Sequence, residues 1–404
     1  MALIVQKYGG TSVADATRVR DVAERVLYTQ QKGNQMVIVV SAPAGKTDEL
    51  LALARGVAKH PNPREVDMLL ATGEQISIAL LAMAIADLGG KAISLTAAQV
   101  GIKTDGTHQK AKITEISLKR IKEELEKGQV VIVAGFQGID EKHDYTTLGR
   151  GGSDTSAVAL AAALNADMCE IYTDVDGVYT ADPRLVPNAK KHDEISYDEM
   201  LEMASLGAKV LHLRAVELAK KYNVPLHVRS SFNENPGTVV KGGENMEQGR
   251  IVVGVAHNSK ISKLTIARIA DKPGVAAMIF SKLAAADINV DMIVQSAGKD
   301  GLADISFTVS KDDADRAEEV ARSMVEVLSA ESVERDDNQA KVSIVGTGML
   351  TNPGVAAAMF ETLAQNNINI EMISTSDISI STVIPGELVE KAVQALHSAF
   401  ELDK

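Results

Sequence analysis

At 404 residues, with 45% hydrophobic and 24% charged residues, the chain has the size for two or three separately folded domains and the composition of an ordinary globular protein. A formal charge of −12 argues against nucleic acid or an anionic membrane as the main partner. Aromatics make up only 3% and Trp is absent, so stacking platforms for bases or sugars are not expected to dominate recognition.

In chain order, LIVQK near the N-terminus reads as a strand, with neither a signal-length apolar core nor a basic region ahead of it, so a cytoplasmic protein is expected. An amphipathic helix follows, with Val19, Val22, Ala23, Val26 and Leu27 at helical spacing and Gly33 as its stop. MVIVVS (36–41) is a strand, followed by helices over Glu49–Ala58 and Glu65–Leu88. AISLT, VVIVAGF and MCEIYT are further strands, with SLKRIKEELEKG and TSAVALAAALNA as helices between them. The one cysteine, Cys169, lies in MCEIYT, where a buried inert thiol is expected. Near-continuous apolar strands alternating with helices imply a parallel sheet covered on both faces.

The Asn-, Gly- and Ser-rich stretch 230–250 marks a domain junction, and beyond it the sequence repeats. Residues 273–296 align without a gap on 353–376, with 13 identities at a constant shift of 80. Each copy has the order βαββαβ, a ferredoxin-like unit. A pair of such units suits either a dimerisation wedge or a ligand sensor.

Four motifs compete for the chemistry. QKYGGTSVA (6–14), alone, reads more readily as a tight turn with a solvated lysine than as a phosphate cradle. SAPAGKT (41–47) imitates a Walker A loop, but Val40 stands where the first glycine is required, so the P-loop reading fails. TDVDGVYTADPR (173–184) hints at a calcium loop and lacks its fifth, sixth and twelfth residues. LGRGGSDTSAVALAAAL (148–164) is stronger: glycines precede an apolar helix capped by Ser153–Ser156, Arg150 can pair with a carboxylate or phosphate, and Asp154 needs a cation nearby.

Taken together and in this order, KYGGTS, VVSAPAGKT, ATGEQIS, LGRGGSDTSA, TDVDGVYTADPR and MASLGAKVLH resemble the aspartate kinases of the amino-acid kinase superfamily, and the tandem repeat resembles their ACT domains. The resemblance covers essentially the whole chain. It implies an α/β fold: a three-layer αβα sandwich on a mostly parallel, eight-stranded sheet, plus two ferredoxin-like ACT units. The implied division is a catalytic domain over 1–245 and a regulatory region over 246–404. ACT1 then spans about 264–335, and ACT2 about 341–404, completed by a strand over 250–257.

The implied activity is transfer of the ATP γ-phosphoryl, with Mg²⁺ entering on the nucleotide, to the side chain of L-aspartate. The resemblance assigns catalysis to Lys7, Arg150 and Asp154. It assigns ATP to Lys7, Gly9, Gly10, Thr173, Asp174, Tyr179, Asp182, Arg184 and Lys209, and aspartate to Ser41, Thr47, Glu74, Arg150, Gly151 and Ser153.

For an effector, lysine or threonine, it points to Asp271, Lys272, Pro273, Gly274, Asn289, Val290, Asp291 and Gln295 in the first copy. In the second copy it points to Asn352, Pro353, Gly354, Val355, Asn369, Ile370, Glu371, Thr375 and Ser376. It further implies a homo-oligomer built through the ACT units, and, from Met246 in the linker, a small subunit from an internal start. A sibling kinase for another acid and a catalytically dead sensor are the competing readings; intact Lys7, Arg150 and Asp154 count against the second.

Overall fold

The computed structural model describes residues 1–208, 210–243, 250–297, 301–349 and 352–404, so Lys209 and Met246 lie outside the described residues. The chain forms two compact units: Met1–Val178, Lys191–Ala204 and Lys209–Asn245 make the first, and Tyr179–Lys190, Ser205–Ala208 and Met246–Lys404 the second.

In the first unit the strands are β1 (Leu3–Tyr8), β2 (Gln35–Val40), β3 (Ala92–Leu95), β4 (Ile102–Thr104), β5 (Ile113–Ile116) and β6 (Val130–Ala134). They continue with β7 (Gln137–Ile139), β8 (Tyr145–Thr147), β9 (Met168–Thr173), β10 (Glu194–Ser196), β11 (Leu226–Ser230) and β12 (Thr238–Lys241). Eight of them form one sheet in the order β10-β12-β11-β9-β1-β2-β6-β3, parallel except where β11 meets β12. A small sheet, β5-β4-β7-β8, stands apart from it. The helices are α1 (Ala16–Gln31), α2 (Lys46–Val57), α3 (Pro63–Asp87), α4 (Ala97–Val100), α5 (Lys119–Glu126), α6 (Gly152–Leu164), α7 (Tyr197–Leu206) and α8 (Leu213–Tyr222).

One face of the sheet is dry: Val19, Val22 and Val26 of α1 and Ile78, Leu81 and Ile85 of α3 pack on Tyr8, Met36, Ile38, Val40 and Ile132. Because side chains alternate along a strand, Lys7 points away from that face, toward α6. Cys169 is fully buried on β9, where burial pushes its thiol pKa up and leaves it inert. By length and composition α3 is apolar enough to cross a membrane, yet its buried residues include Asp67 and Glu74.

The second unit holds the antiparallel sheet β14-β15-β13-β16-β18-β17, from β13 (Gly254–Ala270), β14 (Val290–Ala297), β15 (Leu302–Ser310), β16 (Ser332–Val345), β17 (Met372–Thr375) and β18 (Ser379–Pro385). Its helices are α9 (Val275–Ala285), α10 (Ala314–Arg322), α11 (Val325–Leu328), α12 (Val355–Gln365) and α13 (Val389–Ala399). α9 and α12 obey the 80-residue shift at both ends, and each starts from a left-handed glycine, Gly274 or Gly354. β13 serves both copies: Gly254–Asn258 pairs with Lys341–Val345, and Ile261–Ala270 pairs with β15.

Candidate active site

The site begins where β1 ends. Lys7 lies on the central strand, level with Val39 of β2 and Ile171 of β9. Its Nζ is 2.7 Å from Oδ1 of Asp154, and each residue is only 9% exposed. A solvated surface lysine does not sit like this. Asp154 comes from the first turn of α6, where the helix dipole favours a negative charge. The cation that the sequence demanded for Asp154 is therefore Lys7.

The loop after Lys7 runs close to the loop after β2. Ala44 N–H donates to Gly10 O at 3.1 Å, and Ser41 N–H donates to Tyr8 O at 3.1 Å. A Cβ on Gly10 would lie 2.7 Å from Ala42 O, so only glycine permits this approach. Gly9 N–H donates to Tyr172 O at 3.2 Å, which ties the same loop to β9.

α3 closes the next side. Glu74 sits in mid-helix, not at a helix start, and is 3% exposed. Its Oε1 accepts the N–H of Ala42 at 3.1 Å, while Oε2 is buried with no hydrogen-bond partner among the described residues. Gly73 makes the reach possible, because a Cβ there would stand 2.8 Å from Ala42 Cβ. Burial pushes the Glu74 carboxyl up to about 8, against the opposing Ala42 hydrogen bond. Ser41 follows β2 directly and precedes Ala42, and Thr47 is in the first turn of α2; both are half-buried.

The glycine-rich loop differs from the sequence reading in one respect. Ser153–Ser156 do not cap α6: the helix starts at Gly152 after the left-handed Gly151, and Ser156 Oγ donates back to Gly152 O at 2.9 Å. The αL turn at Gly151 begins the helix one turn earlier than side-chain capping requires. Ser153 is buried against Gly135, whereas Arg150 is exposed and, among the described residues, has no carboxylate partner. A Cβ on Gly151, whose φ is 67°, would lie 2.0 Å from His212 Cγ. Gly151→Ala is expected to destabilise the fold by about 2 kcal/mol, through strain and collision with the imidazole. Urea denaturation checks this, and an unchanged midpoint contradicts it.

Of the proposed nucleotide residues, Thr173 and Asp174 close β9 in the first unit. Ser231 accepts from Ser12 Oγ at 2.9 Å and donates to Thr173 O, joining the Gly9–Ser12 loop to the strand ends. Tyr179, Asp182 and Arg184 belong to the second unit. There Thr180 O accepts Val255 N–H at 2.7 Å, Thr180 Oγ1 is 2.9 Å from His397 Nε2, and Ala181 and Val186 pack with Val342 and Met359. Arg184 pairs with Asp182 at 2.7 Å and holds that carboxyl below its usual range.

The proposed effector residues occupy matched places in the two copies. The turns Asp271–Gly274 and Asn352–Gly354 precede α9 and α12, Asn289 and Val290 enter β14, and Val355 opens α12. Gln295 Nε2 donates to Asp271 Oδ1 at 3.3 Å. Asn369 donates to Glu371 at 3.2 Å beside Ile370, and Thr375 and Ser376 end β17, where the Ser376 and Ser379 hydroxyls are 2.9 Å apart. Lys272 and Pro273 are exposed.

Asp291 and Glu371, equivalent at the 80-residue shift, each hold a lysine from the other copy. Lys341 of β16 pairs with Asp291, and Lys263 of β13 pairs with Glu371 at 2.9 Å. Lys341 is 2% exposed and its partner 46%, so losing the carboxylate strands a buried ammonium. Asp291→Ala is expected to cost about 1–3 kcal/mol and Glu371→Ala distinctly less, because Lys263 reaches water. Equal melting temperatures for the two variants would count against this.

The sequence reading passed over Asp67, His108, Arg214, Lys263 and Lys341. His212 lies within MASLGAKVLH, yet nothing in that segment says that its ring packs against Gly151.

Comparison with known proteins shows the family. The amino acid kinase family model matches residues 2–230, and an ACT domain model matches 267–324 and 342–400. An aspartokinase of Mycolicibacterium smegmatis is 54% identical over 407 residues, covering 100% of this chain and 97% of that protein. The structure of Escherichia coli aspartokinase III with aspartate and ADP (R-state) superposes with a TM-score of 0.83 at 29% identity, covering 98% of this chain and 99% of that one. The same protein with lysine and aspartate (T-state) gives 0.78 at 29% identity, with the same coverage. The chain belongs to the aspartate kinases of the amino acid kinase family and carries a tandem pair of ACT domains.

Proposed function

We propose that the enzyme transfers the γ-phosphoryl of Mg²⁺-ATP to the side-chain carboxylate of L-aspartate, giving 4-phospho-L-aspartate, the first step toward lysine, threonine and methionine, in the cytoplasm. The observation that carries this reading is the buried Lys7–Asp154 pair, in the same unit as Glu74 Oε2, which has no hydrogen-bond partner among the described residues. An acceptor carboxylate with a pKa near 4 is already ionised at neutral pH, so no general base is required. What remains is to position two anions and neutralise the charge between them.

Lys7 supplies that charge at the transferring phosphoryl, with Gly9 and Gly10 N–H groups beside it and Asp154 fixing its ammonium. Glu74 takes the substrate α-ammonium, Arg150 a carboxylate, and Ser41, Thr47, Gly151 and Ser153 line the same place. Thr173, Asp174, Tyr179, Asp182, Arg184 and Lys209 serve the nucleotide, and Mg²⁺ belongs to the substrate complex. Residues 1–245 are the catalytic domain in this reading, and 246–404 are regulatory.

Feedback is proposed through the ACT pair, with lysine or threonine as effector and the pair also joining subunits. The lysine complex of the E. coli protein supports lysine for this class. The contacts of Tyr179–Lys190 with the ACT-type sheet give effector binding a physical route to nucleotide-site residues. An ammonium effector at Asp291 or Glu371 would compete with Lys341 or Lys263 for the same carboxylate, which couples effector binding to the pairs between the two copies.

Initial rates with lysine and threonine, singly and together, test this. Inhibition by either or both is expected; unchanged rates at millimolar effector contradict it. A separate small subunit starting at Met246 predicts a second, shorter product by intact mass.

A further inference from the structure

Asp67 is a fully buried carboxylate on α3, seven residues and so about two turns before Glu74, on the same face of the helix. None of its four partners belongs to α3. Oδ1 accepts Thr147 Oγ1 at 2.7 Å; Oδ2 accepts Thr147 N–H at 3.1 Å, Gln109 N–H at 3.0 Å and His108 Nδ1 at 2.8 Å.

These donors lie in two adjacent segments that run side by side, joined by Ala111 N–H to Thr147 O at 3.0 Å. Arg214 holds the same two segments from the other end, donating to Leu148 O at 2.6 Å and Ala111 O at 3.1 Å. Leu148 N–H is fixed as well, on Phe136 O at 2.9 Å. The chain is thus pinned up to Leu148, two residues before Arg150.

We infer that Asp67 is a positioning residue for the acceptor substrate: through Thr147 it fixes the loop bearing Arg150 to the helix that bears Glu74. One rigid element then sets the separation between the group that takes the substrate ammonium and the group that takes its carboxylate. Two of the four donors are the backbone N–H groups of Thr147 and Gln109, which no side-chain change removes, so this one carboxylate ties both segments to α3. The inference rests on the aspartate site proposed above.

The test is steady-state kinetics of Asp67→Asn in the full-length enzyme. The amide keeps the size but turns an NH₂ toward N–H donors, so the loop must shift. The expected result is an aspartate KM raised about tenfold or more, with the ATP KM within about twofold, as misplacement of one substrate requires. Thr147→Val, which loses only the hydroxyl bond, is expected to shift the aspartate KM in the same direction by a smaller factor, and stands in if Asp67→Asn does not fold. A lowered melting temperature with both KM values unchanged, or equal rises in both, overturns the assignment. Arg150→Ala is measured alongside. If it raises the aspartate KM and the Asp67 and Thr147 variants do not, this inference alone fails; if Arg150→Ala leaves the aspartate KM unchanged, the proposed aspartate site fails and takes the inference with it.

Discussion

Lys7→Ala is expected to lower kcat by about a thousandfold, the loss typical of removing one preorganised charge from a developing anion. The physical basis is the placement of Lys7: on the central strand, one-tenth exposed, with its ammonium fixed 2.7 Å from Asp154. In that dry setting the ammonium needs no reorganisation as the phosphoryl moves, and its Coulomb term is far larger than in water. Lys7→Arg is expected not to restore activity, because the longer, planar guanidinium must fit the buried place where Nζ now stands 2.7 Å from Asp154. Removing Lys7 also leaves Asp154 buried without its cation, so a modest fall in melting temperature accompanies the kinetic loss. Near-normal kcat in Lys7→Ala contradicts the assignment.

Glu74→Gln is expected to raise the aspartate KM about a hundredfold, the order of loss when one partner of a buried, charged hydrogen bond is neutralised. The amide oxygen still accepts Ala42 N–H, so the fold survives and the defect falls on the substrate. Protonation gives a second signature. In the empty site burial raises the Glu74 carboxyl from 4.5 to about 8, so at pH 7 it is mostly protonated. The arriving ammonium favours the ionised form, so aspartate binding at pH 7 should release a proton from Glu74. Calorimetry in buffers of different ionisation enthalpy reads this as a slope, absent in Glu74→Gln. The sign for stability follows from the raised folded pKa. The stabilising contribution of Glu74 to the ligand-free fold is complete below about pH 4.5 and is lost as pH rises through about 8. Aspartate affinity moves the other way, increasing with pH up to that value. A wild-type slope near zero would remove Glu74 from the ammonium site.

Five strands of the large sheet, β1, β2, β3, β6 and β9, were legible as near-continuous apolar runs, whereas β10, β11 and β12, which alternate buried with partly exposed residues, were not. MCEIYT is β9 residue for residue, and Gly33 stops α1 as its φ of 89° allows. The small sheet β5-β4-β7-β8 left no such trace, since its strands are three or four residues long and carry no periodicity to count. The start of α6 was misread for a local reason: a left-handed glycine can begin a helix without any side-chain cap.

For the site, glycines and lone charges in the motifs were readable, because each marks a backbone approach or an unpaired group. Asp67 was not. Its donors are 41, 42 and 80 residues away, and a carboxylate in a helix reads as a solvated face until the fold surrounds it. The cross-copy pairs Lys341–Asp291 and Lys263–Glu371 were hidden for the same reason, being made by strands of different repeats. That the TADPR segment belongs to the unit of the repeats is likewise a tertiary fact, held by Val255 and His397 far along the chain.

The central claim is that this chain phosphorylates the side-chain carboxylate of L-aspartate without a general base and without a P-loop. Hydroxylamine trapping tests it most directly: purified enzyme is incubated with Mg²⁺-ATP, hydroxylamine and either L-aspartate, L-glutamate or N-acetyl-L-glutamate, and the hydroxamate is identified by mass. Aspartate β-hydroxamate is expected in step with ADP release, from L-aspartate alone and abolished by Lys7→Ala. ADP release without hydroxamate, or a hydroxamate formed preferentially from one of the other acids, would contradict it.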